Sequence, residues 1–346
     1  MRQRLSAAIL FFMFLSAWLT SHAAADQVAD FYKARAITLM VGYPPGGAYD
    51  LYARTMGRHI GRFIPGAPII NVQNMPGAGS LAAANHVANL AAQDGTIIGV
   101  TGAALPFAPM LEPGAARFDA TKVNWLPSPA SFTALMVVSK AAPVESFSDL
   151  QQTEVLMGTL NPGSTPSFYA AIINDVLKTR MKLVYGYDSM SQAMLALQRG
   201  EVQGYPTAPV DSIKRAYAHL AASGQIKFLL QIGGKASADY PHTPFILDFA
   251  KTPEERKLID VSLGSLKIGY PYFMAEKVPA ERVAAIRRAM MDCFADPAFL
   301  AEARSQTLDV NPIPADEVES IVKNAYAAPM PIIDRLRTIY QKQMGK

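Results

Sequence analysis

Short apolar runs and helical spacings alternate along the chain. The apolar run at 37–41 predicts a buried strand. Apolar residues then recur every three or four positions over 51–64, which predicts an amphipathic helix. The order of strand, glycine-containing turn and helix returns at 68–92, and a third strand at 96–100 again leads into a turn of small residues. These successive units predict a parallel sheet flanked by helices.

The rest of the chain continues this alternation. Strands are predicted at 132–139, 155–160, 181–187, 201–205 and 226–232, with a short edge strand at 310–314. Helices are predicted at 144–151, from Thr165, up to Arg199, from Pro206, and at 280–295, 297–307 and 315–340. The stretch 240–260 is rich in Pro, acidic residues and Lys and is assigned no element. The length of 346 residues and the 50% apolar composition support an α/β protein with two lobes.

The turn after the first strand has the sequence Y-P-P-G-G-A-Y-D, from Tyr43 to Asp50. Gly46 and Gly47 are expected to take backbone angles closed to other residues and to expose their N–H groups. The first turn of a helix has unpaired N–H groups and partial positive charge, so it can hold a small anion such as a carboxylate. Asp50 is expected to cap free N–H groups in that turn. A plain tight turn is the alternative.

The turn after the second strand contains Gly77-Ala78-Gly79-Ser80, which with Ala82 fits a loose dinucleotide motif. That motif needs an acid about 20 residues further on, at the end of the next strand. Asp94 lies before that strand, so a second anion-facing helix start explains the motif more simply. Gly102 ends the third strand. Open parallel sheets bind ligands at the carboxyl ends of their strands, so the three turns together favour a binding site there.

A fourth turn of the same kind follows the strand at 155–160. Its hydroxyl residues are Ser164, Thr165 and Ser167, with Thr165 expected as the helix N-cap and Pro166 as the first helical residue.

Several aromatic residues have two possible positions. They either line the cleft, which would suit an aromatic or long acid, or pack in the core. They are Tyr43, Tyr49, Phe107, Tyr185 and Tyr187.

The N-terminus has the pattern of a signal peptide. Arg2 and Arg4 precede an apolar run at 5–19, and small residues follow, which predicts cleavage after Ala23 or Ala25 and export to the periplasm. An uncleaved N-terminal anchor is the alternative. Removing Arg2 and Arg4 lowers the formal net charge from +4 to +2, and no dense basic run remains. No nucleic-acid partner is therefore expected.

Catalytic and metal chemistry find little support in the sequence. Cys293 is the one cysteine, so no internal disulfide forms, and a packed, inert thiol is expected. The four histidines beyond the leader have no metal-ligand spacing, and no G-x-S-x-G nucleophile motif occurs. No catalytic residue, metal or cofactor is predicted, and an exported hydrolase is the weaker alternative.

Two motifs at this separation resemble a known family. The chain carries Y-P-P-G-G-A-Y-D at 43–50 and P-G-A-G at 76–79, followed by A-Q-D-G at 92–95 and R-G-E-V at 199–202. Together with the leader, they resemble the periplasmic solute receptors of tripartite tricarboxylate transporters, also called Bug receptors. The resemblance covers nearly the whole mature chain.

This resemblance implies a two-lobed, type II periplasmic-binding-protein fold of the Venus-flytrap kind, in which each lobe is a mostly parallel sheet flanked by helices. The implied division is a signal peptide at 1–25, a first lobe at 26–133 plus 233–346, and a second lobe at 134–232. A small carboxylate would bind between the lobes of a monomer, which would deliver it to the transporter's membrane subunits. A receptor that docks on a membrane sensor has the same fold and stays open as an alternative.

The resemblance also assigns ligand contacts. The first two turns would hold a carboxylate through Tyr43, Gly46, Gly47, Asp50, Ala78, Gly79 and Ser80, and the second lobe would contribute Ser164, Thr165 and Ser167. Gly102 and Tyr187 complete the predicted site. Met75 replaces the usual Arg before P-G-A-G, and 186–189 replaces a usual Lys-Gly segment. The end of the site that holds the carboxylate is therefore better supported than the end that selects the rest of the ligand.

Overall fold

The computed structural model describes residues 27–345. The predicted signal peptide lies outside this range. Within it, no helix is both long enough and apolar enough to cross a bilayer.

Over residues 27–345, ten strands form two five-stranded sheets. The strands are β1 Ala36–Val41, β2 Ile69–Asn74, β3 Ile97–Val100, β4 Asn124–Trp125, β5 Thr133–Ser139, β6 Val155–Gly158, β7 Met181–Val184, β8 Gly204–Pro209, β9 Ile226–Gly233 and β10 Tyr272–Met274. The first sheet has the order β2-β1-β3-β10-β4, and the second has the order β7-β6-β8-β5-β9.

Each sheet is mixed, with two parallel and two antiparallel pairings, because one of its five strands is reversed. In the first sheet β1 pairs in parallel with both β2 and β3, and β10 is the one strand that runs against its neighbours. In the second sheet β6 pairs in parallel with β7 and β8, and β5 is the reversed strand. The glycine-rich turns after β1, β2 and β3 therefore leave the same edge of one sheet.

Helices cover both sheets. They are α1 Ala48–Ile60, α2 Leu81–Asn89, α3 Ala108–Leu111, α4 Thr165–Leu177, α5 Met190–Gln198, α6 Val210–Ser212, α7 Ala218–Ala222, α8 Pro253–Ile268, α9 Ala280–Ala295, α10 Pro297–Ser305, α11 Ala315–Tyr326 and α12 Met330–Gln343. A π-helical stretch, Ile213–Tyr217, joins α6 to α7. Short 3₁₀ turns occur at Gly61–Phe63, Ala78–Ser80, Leu105–Phe107, Phe147–Gln151 and Ile246–Phe249.

The last helix, α12, contacts both halves of the molecule. Arg335 Nε lies 3.0 Å from Asp175 Oδ2 on α4. The hydroxyl of Tyr340 donates to Glu112 Oε2 at 3.1 Å, just after α3. The C-terminal helix thus lies where the two lobes approach each other.

Helix α8 was not predicted from the sequence. No element was assigned to 240–260, yet the helix runs over Pro253–Ile268. Thr252 Oγ1 accepts from the Glu255 N–H at 3.1 Å, and the Glu255 carboxylate accepts from the Thr252 N–H, also at 3.1 Å. Pro253 fills the first helical position, where its missing N–H costs nothing. The sequence T-P-E-E at 252–255 is the pattern of a capping box and predicts a helix start. The helix forms although the stretch 240–260 is rich in charged residues and proline.

Three boundary predictions need correction. A helix does not open at Pro206, because β8 continues to Pro209. Beyond Gly204, β8 pairs with β5 and no longer with β6, so a proline facing the unpaired side is tolerated. The segment 310–314 makes isolated bridges and no strand. The N-cap of α4 is Ser164, one residue before the predicted Thr165.

Candidate functional site

The turn after β1 is fastened by the carboxylate of Asp50, which is 2% exposed. This carboxylate accepts from the Gly46 N–H at 2.8 Å, from Asn74 Nδ2 at 2.8 Å and from Arg54 Nε at 2.9 Å. Burial acts to raise the pKa of Asp50, but the hydrogen bonds from Arg54, Gly46 and Asn74 outweigh it and lower the pKa. Asp50 therefore stays ionised and braces the turn. The Gly46 N–H is used in this brace and is not left free.

Tyr43 and Tyr49 tie the first turn to the third. Their rings stack with centroids 4.5 Å apart, and the Tyr49 hydroxyl accepts from the Ala103 N–H at 3.0 Å. Burial raises the pKa of Tyr43 to about 12, against a hydrogen bond with Ser80 that acts to lower it. Both phenols are neutral at pH 7, and their stacked rings hold the first turn against the third.

The turn after β2 has an unusual backbone. Four consecutive residues have positive φ: Gly77 (148°), Ala78 (45°), Gly79 (63°) and Ser80 (76°). The left-handed conformation costs a residue with a side chain about 1–2 kcal/mol, so Ala78 and Ser80 are held there by their surroundings. Such strain concentrates at ligand clamps and active sites.

Ser80 helps to hold this backbone in place through its own side chain. It is fully buried, and its Oγ accepts from the Gly102 N–H at 2.9 Å. The second and third turns are therefore joined by a hydrogen bond. Its donor is the Gly102 N–H, which is not free to bind a ligand. A Cβ added at Gly79 would meet no atom within 4 Å, so this residue faces open space.

The turn after β6 is braced by neutral hydroxyls. Ser167, fully buried, lies with its Oγ 2.7 Å from Thr159 Oγ1 and 2.9 Å from Ser164 Oγ, and it donates to the Asn161 carbonyl at 2.8 Å. Ser164 Oγ donates to the same carbonyl at 2.7 Å. The hydroxyls predicted to reach the ligand therefore hold one another and the turn.

A cavity of about 340 Å³ lies between these turns. We call it the cleft cavity. Its lining comes from the second and third turns of the first sheet, from the turn after β6, and from the last helix and its end. The lining residues are Ala78, Gly79, Leu81, Ala104, Leu105, Ala108, Leu111, Glu112, Ala115, Asn161, Pro162, Gly163, Phe168, Tyr340 and Met344.

Comparison with known proteins gives related sequences. No family model matches the chain. A UPF0065 protein of Cupriavidus necator is 26% identical over 226 residues, which is 64% of this chain and 66% of that protein. BugT of Bordetella pertussis is 38% identical over 79 residues, which is 23% of this chain and 24% of BugT. The chain thus spans less than two thirds of the length of either relative. The predicted resemblance to the Bug receptors is confirmed.

Solved structures share the fold. A TctC solute-binding protein from Polaromonas superposes with a TM-score of 0.67 at 18% identity, covering 90% of this chain and 99% of that one. MatC from Rhodopseudomonas palustris with bound malate gives 0.63 at 19% identity, covering 89% and 99%. A second R. palustris protein with adipate gives 0.65 at 19% identity, covering 88% and 98%. The chain has the two-lobed periplasmic-binding-protein fold that was predicted.

Within this Bug-like fold, ten of the twelve predicted site residues fall into three groups. Ala78 and Gly79 line the cleft cavity. Gly46 and Gly47 lie exposed beside it along the sheet edge, with open space at both Cα atoms. The braces are Tyr43, Asp50, Ser80, Gly102, Ser164 and Ser167, and Thr165 opens α4.

Tyr187 does not line the cleft cavity. Its ring packs on the second lobe, where a Cβ added at Gly158 would lie 3.2 Å from it.

The sequence reading missed the apolar wall and the last helix. Asn161, Pro162 and Gly163 line the cleft cavity, whereas the resemblance assigns ligand contacts to the hydroxyls that follow them. Their signal was the Pro-Gly pair itself, which marks backbone that can approach a ligand. Tyr340 and Met344 had no such signal, because nothing local shows that α12 returns to the cleft. In the described part of the chain, no group of three or more His, Cys, Asp or Glu could hold a metal ion.

Proposed function

We propose that the chain is a periplasmic receptor that binds a small carboxylate between its lobes and delivers it to the membrane subunits of a tripartite tricarboxylate-type transporter. The observation that carries this is the cleft cavity, which lies at the carboxyl ends of strands from both sheets. Ligands of open α/β sheets bind at such edges. The relatedness to Bug receptors supports the transporter as partner.

A carboxylate fits the chemistry of the turns. Helices α1, α2 and α4 begin directly after them, and the first turn of a helix presents unpaired N–H groups and partial positive charge. One anion can be held there without a basic side chain. Two structures of the same fold contain malate and adipate, which supports the same ligand class for this chain.

Closure of the second lobe over the ligand is the proposed means of signalling to the membrane partner. Hinges are proposed near 132–135 and 229–232, where the chain passes between the sheets. Thr133 pairs with Gly233 at the start of β5 and the end of β9, so the two crossings lie side by side. Side-by-side crossings suit a hinge motion. The lobes proposed are 26–133 plus 233–346 and 134–232, with α12 touching both.

A thermal-shift screen tests the receptor proposal. The mature protein, refolded to remove any copurified ligand, is heated with mono-, di- and tricarboxylates, aromatic acids and amino acids. A ligand at a hundredfold excess over its Kd stabilises the folded state by about 2.7 kcal/mol, which raises Tm. A shift with one class of acid supports the proposal. No shift with any of these acids would overturn it.

A further inference from the structure

The lining of the cleft cavity is mainly aliphatic and aromatic. Leu105, Leu111 and Phe168 are buried side chains on its wall, and Leu81 and Met344 extend the same surface. Among the described residues that line it, none is Lys, Arg or His. The described part of the wall therefore offers mainly apolar contact and no cationic side chain.

Polar groups lie at two places on this wall. One is the pair of turns that contain Gly79 and Gly163, whose backbone can meet a carboxylate. The other is Glu112, whose carboxyl group accepts a hydrogen bond from Tyr340. A second carboxylate on the apolar part of the wall would lose water, and no Lys, Arg or His among the described lining residues could pair with it.

We propose that the ligand of this receptor is a monocarboxylic acid with an apolar tail, and that the cleft cavity discriminates against a second carboxylate. This rests on the proposed function and names its substrate class. The cleft cavity, of about 340 Å³, is lined mainly by apolar residues, and octanoate is the chosen probe of this class. Such a preference differs from the malate and adipate found in the two R. palustris structures.

Calorimetric titration of the refolded mature protein with matched acids tests this. Butyrate, hexanoate and octanoate should bind progressively tighter, by about threefold to fourfold for each added methylene. Octanedioate, which differs from octanoate by one terminal carboxylate, should bind at least a hundredfold more weakly. Equal or tighter binding of octanedioate, or no gain with tail length, would overturn the proposed substrate class.

A pair of variants locates the tail. Ala108→Leu adds bulk to the cavity wall and should lower the octanoate-to-butyrate affinity ratio at least tenfold. Ala301→Leu makes the same change at an exposed position on α10 and should leave that ratio unchanged. An unchanged ratio in a folded Ala108→Leu protein would contradict the assignment of the tail to this wall.

The two proposals fail in different ways. If wild type binds none of the acids, both the receptor proposal and the substrate class are wrong. If acids bind and Gly79→Val weakens all of them, but octanedioate matches octanoate, only the substrate class is wrong. The tail-length series needs no variant, so misfolding of a mutant leaves the test intact.

Discussion

The turns of the two lobes in and beside the cleft cavity are braced in different ways. In the first lobe, a buried carboxylate, Asp50, gathers three donors, and Ser80 holds a left-handed backbone against Gly102. In the second lobe, hydroxyls of Ser167 and its neighbours share hydrogen bonds around one carbonyl. Hydrogen bonds to charged groups are worth roughly twice neutral ones. The first lobe thus presents the more rigid surface.

This difference suggests a division of labour between the lobes. A turn fixed before the ligand arrives loses little entropy on binding, so the first lobe suits docking of the anion. The second lobe, with its neutral network and Phe168, suits closing over the bound ligand. Three substitutions sharpen or break this comparison.

Gly79→Val should have the largest effect. Gly79 has φ of 63° and lines the cleft cavity, so a branched side chain strains the turn and fills the anion position. We expect carboxylate affinity to fall at least a hundredfold in calorimetric titration. Gly224→Val is the matched control, because Gly224 has φ of 68°, equally open surroundings and no place in the cavity lining. Equal losses of affinity in both variants would remove Gly79 from the site.

Asp50→Asn should lower carboxylate affinity less than Gly79→Val does, and its main effect should be on the free energy of unfolding. Its loss removes a charged acceptor from three donors, which predicts about 2 kcal/mol lower free energy of unfolding at pH 7. The folded-state pKa of Asp50 is lowered, so this stabilisation is complete above the ordinary carboxyl pKa of about 4 and is lost as pH falls below it.

Urea unfolding of wild type and Asp50→Asn between pH 3 and pH 7 measures this difference. The gap between the two proteins should be constant above about pH 5 and shrink toward pH 3. Asp292→Asn on the exposed face of α9 serves as control and should change stability by less than about 0.5 kcal/mol. A gap that is the same at pH 3 as at pH 7 would show that the Asp50 charge does not brace the turn.

Ser167→Ala should have the smallest effect. It removes one member of a neutral hydroxyl network, which predicts a loss of about 1 kcal/mol in the free energy of unfolding. We expect less than a threefold change in carboxylate affinity, because the docking surface belongs to the other lobe. A loss of affinity as large as that of Gly79→Val would invert the comparison.

Local patterns predicted where the first-lobe turns lie. The Gly-Gly and Gly-Ala-Gly turns follow apolar strands, so their place at one sheet edge could be predicted from the chain. Ala78 and Gly79 line the cavity, and their contact with a ligand stays a prediction. Roles within the turns could not be read. Whether the N–H of Gly46 is free or paired depends on the rotamer of Asp50 and on Asn74 from another strand.

Long-range packing set the limit elsewhere. The apolar wall unites Leu105, Phe168 and Met344, which lie far apart in the chain, and no local period shows that they meet. Helix α8 could have been predicted, because its capping box T-P-E-E marks a helix start in spite of the charged, proline-containing composition of 240–260. The prolines of β8 led to the wrong prediction of a helix start at Pro206. A strand that is paired on one side only, as β8 is beyond Gly204, tolerates proline.

The central claim is that an acid docks on the glycine turns of the first lobe and touches the turn after β6. Backbone amide NMR of the mature protein, titrated with octanoate, tests it most directly. The account predicts saturable shifts of the amide signals of Ala78, Gly79 and Gly163, with little change at the distant Gly224. Saturable binding that leaves those three amides unmoved and shifts signals elsewhere would contradict it.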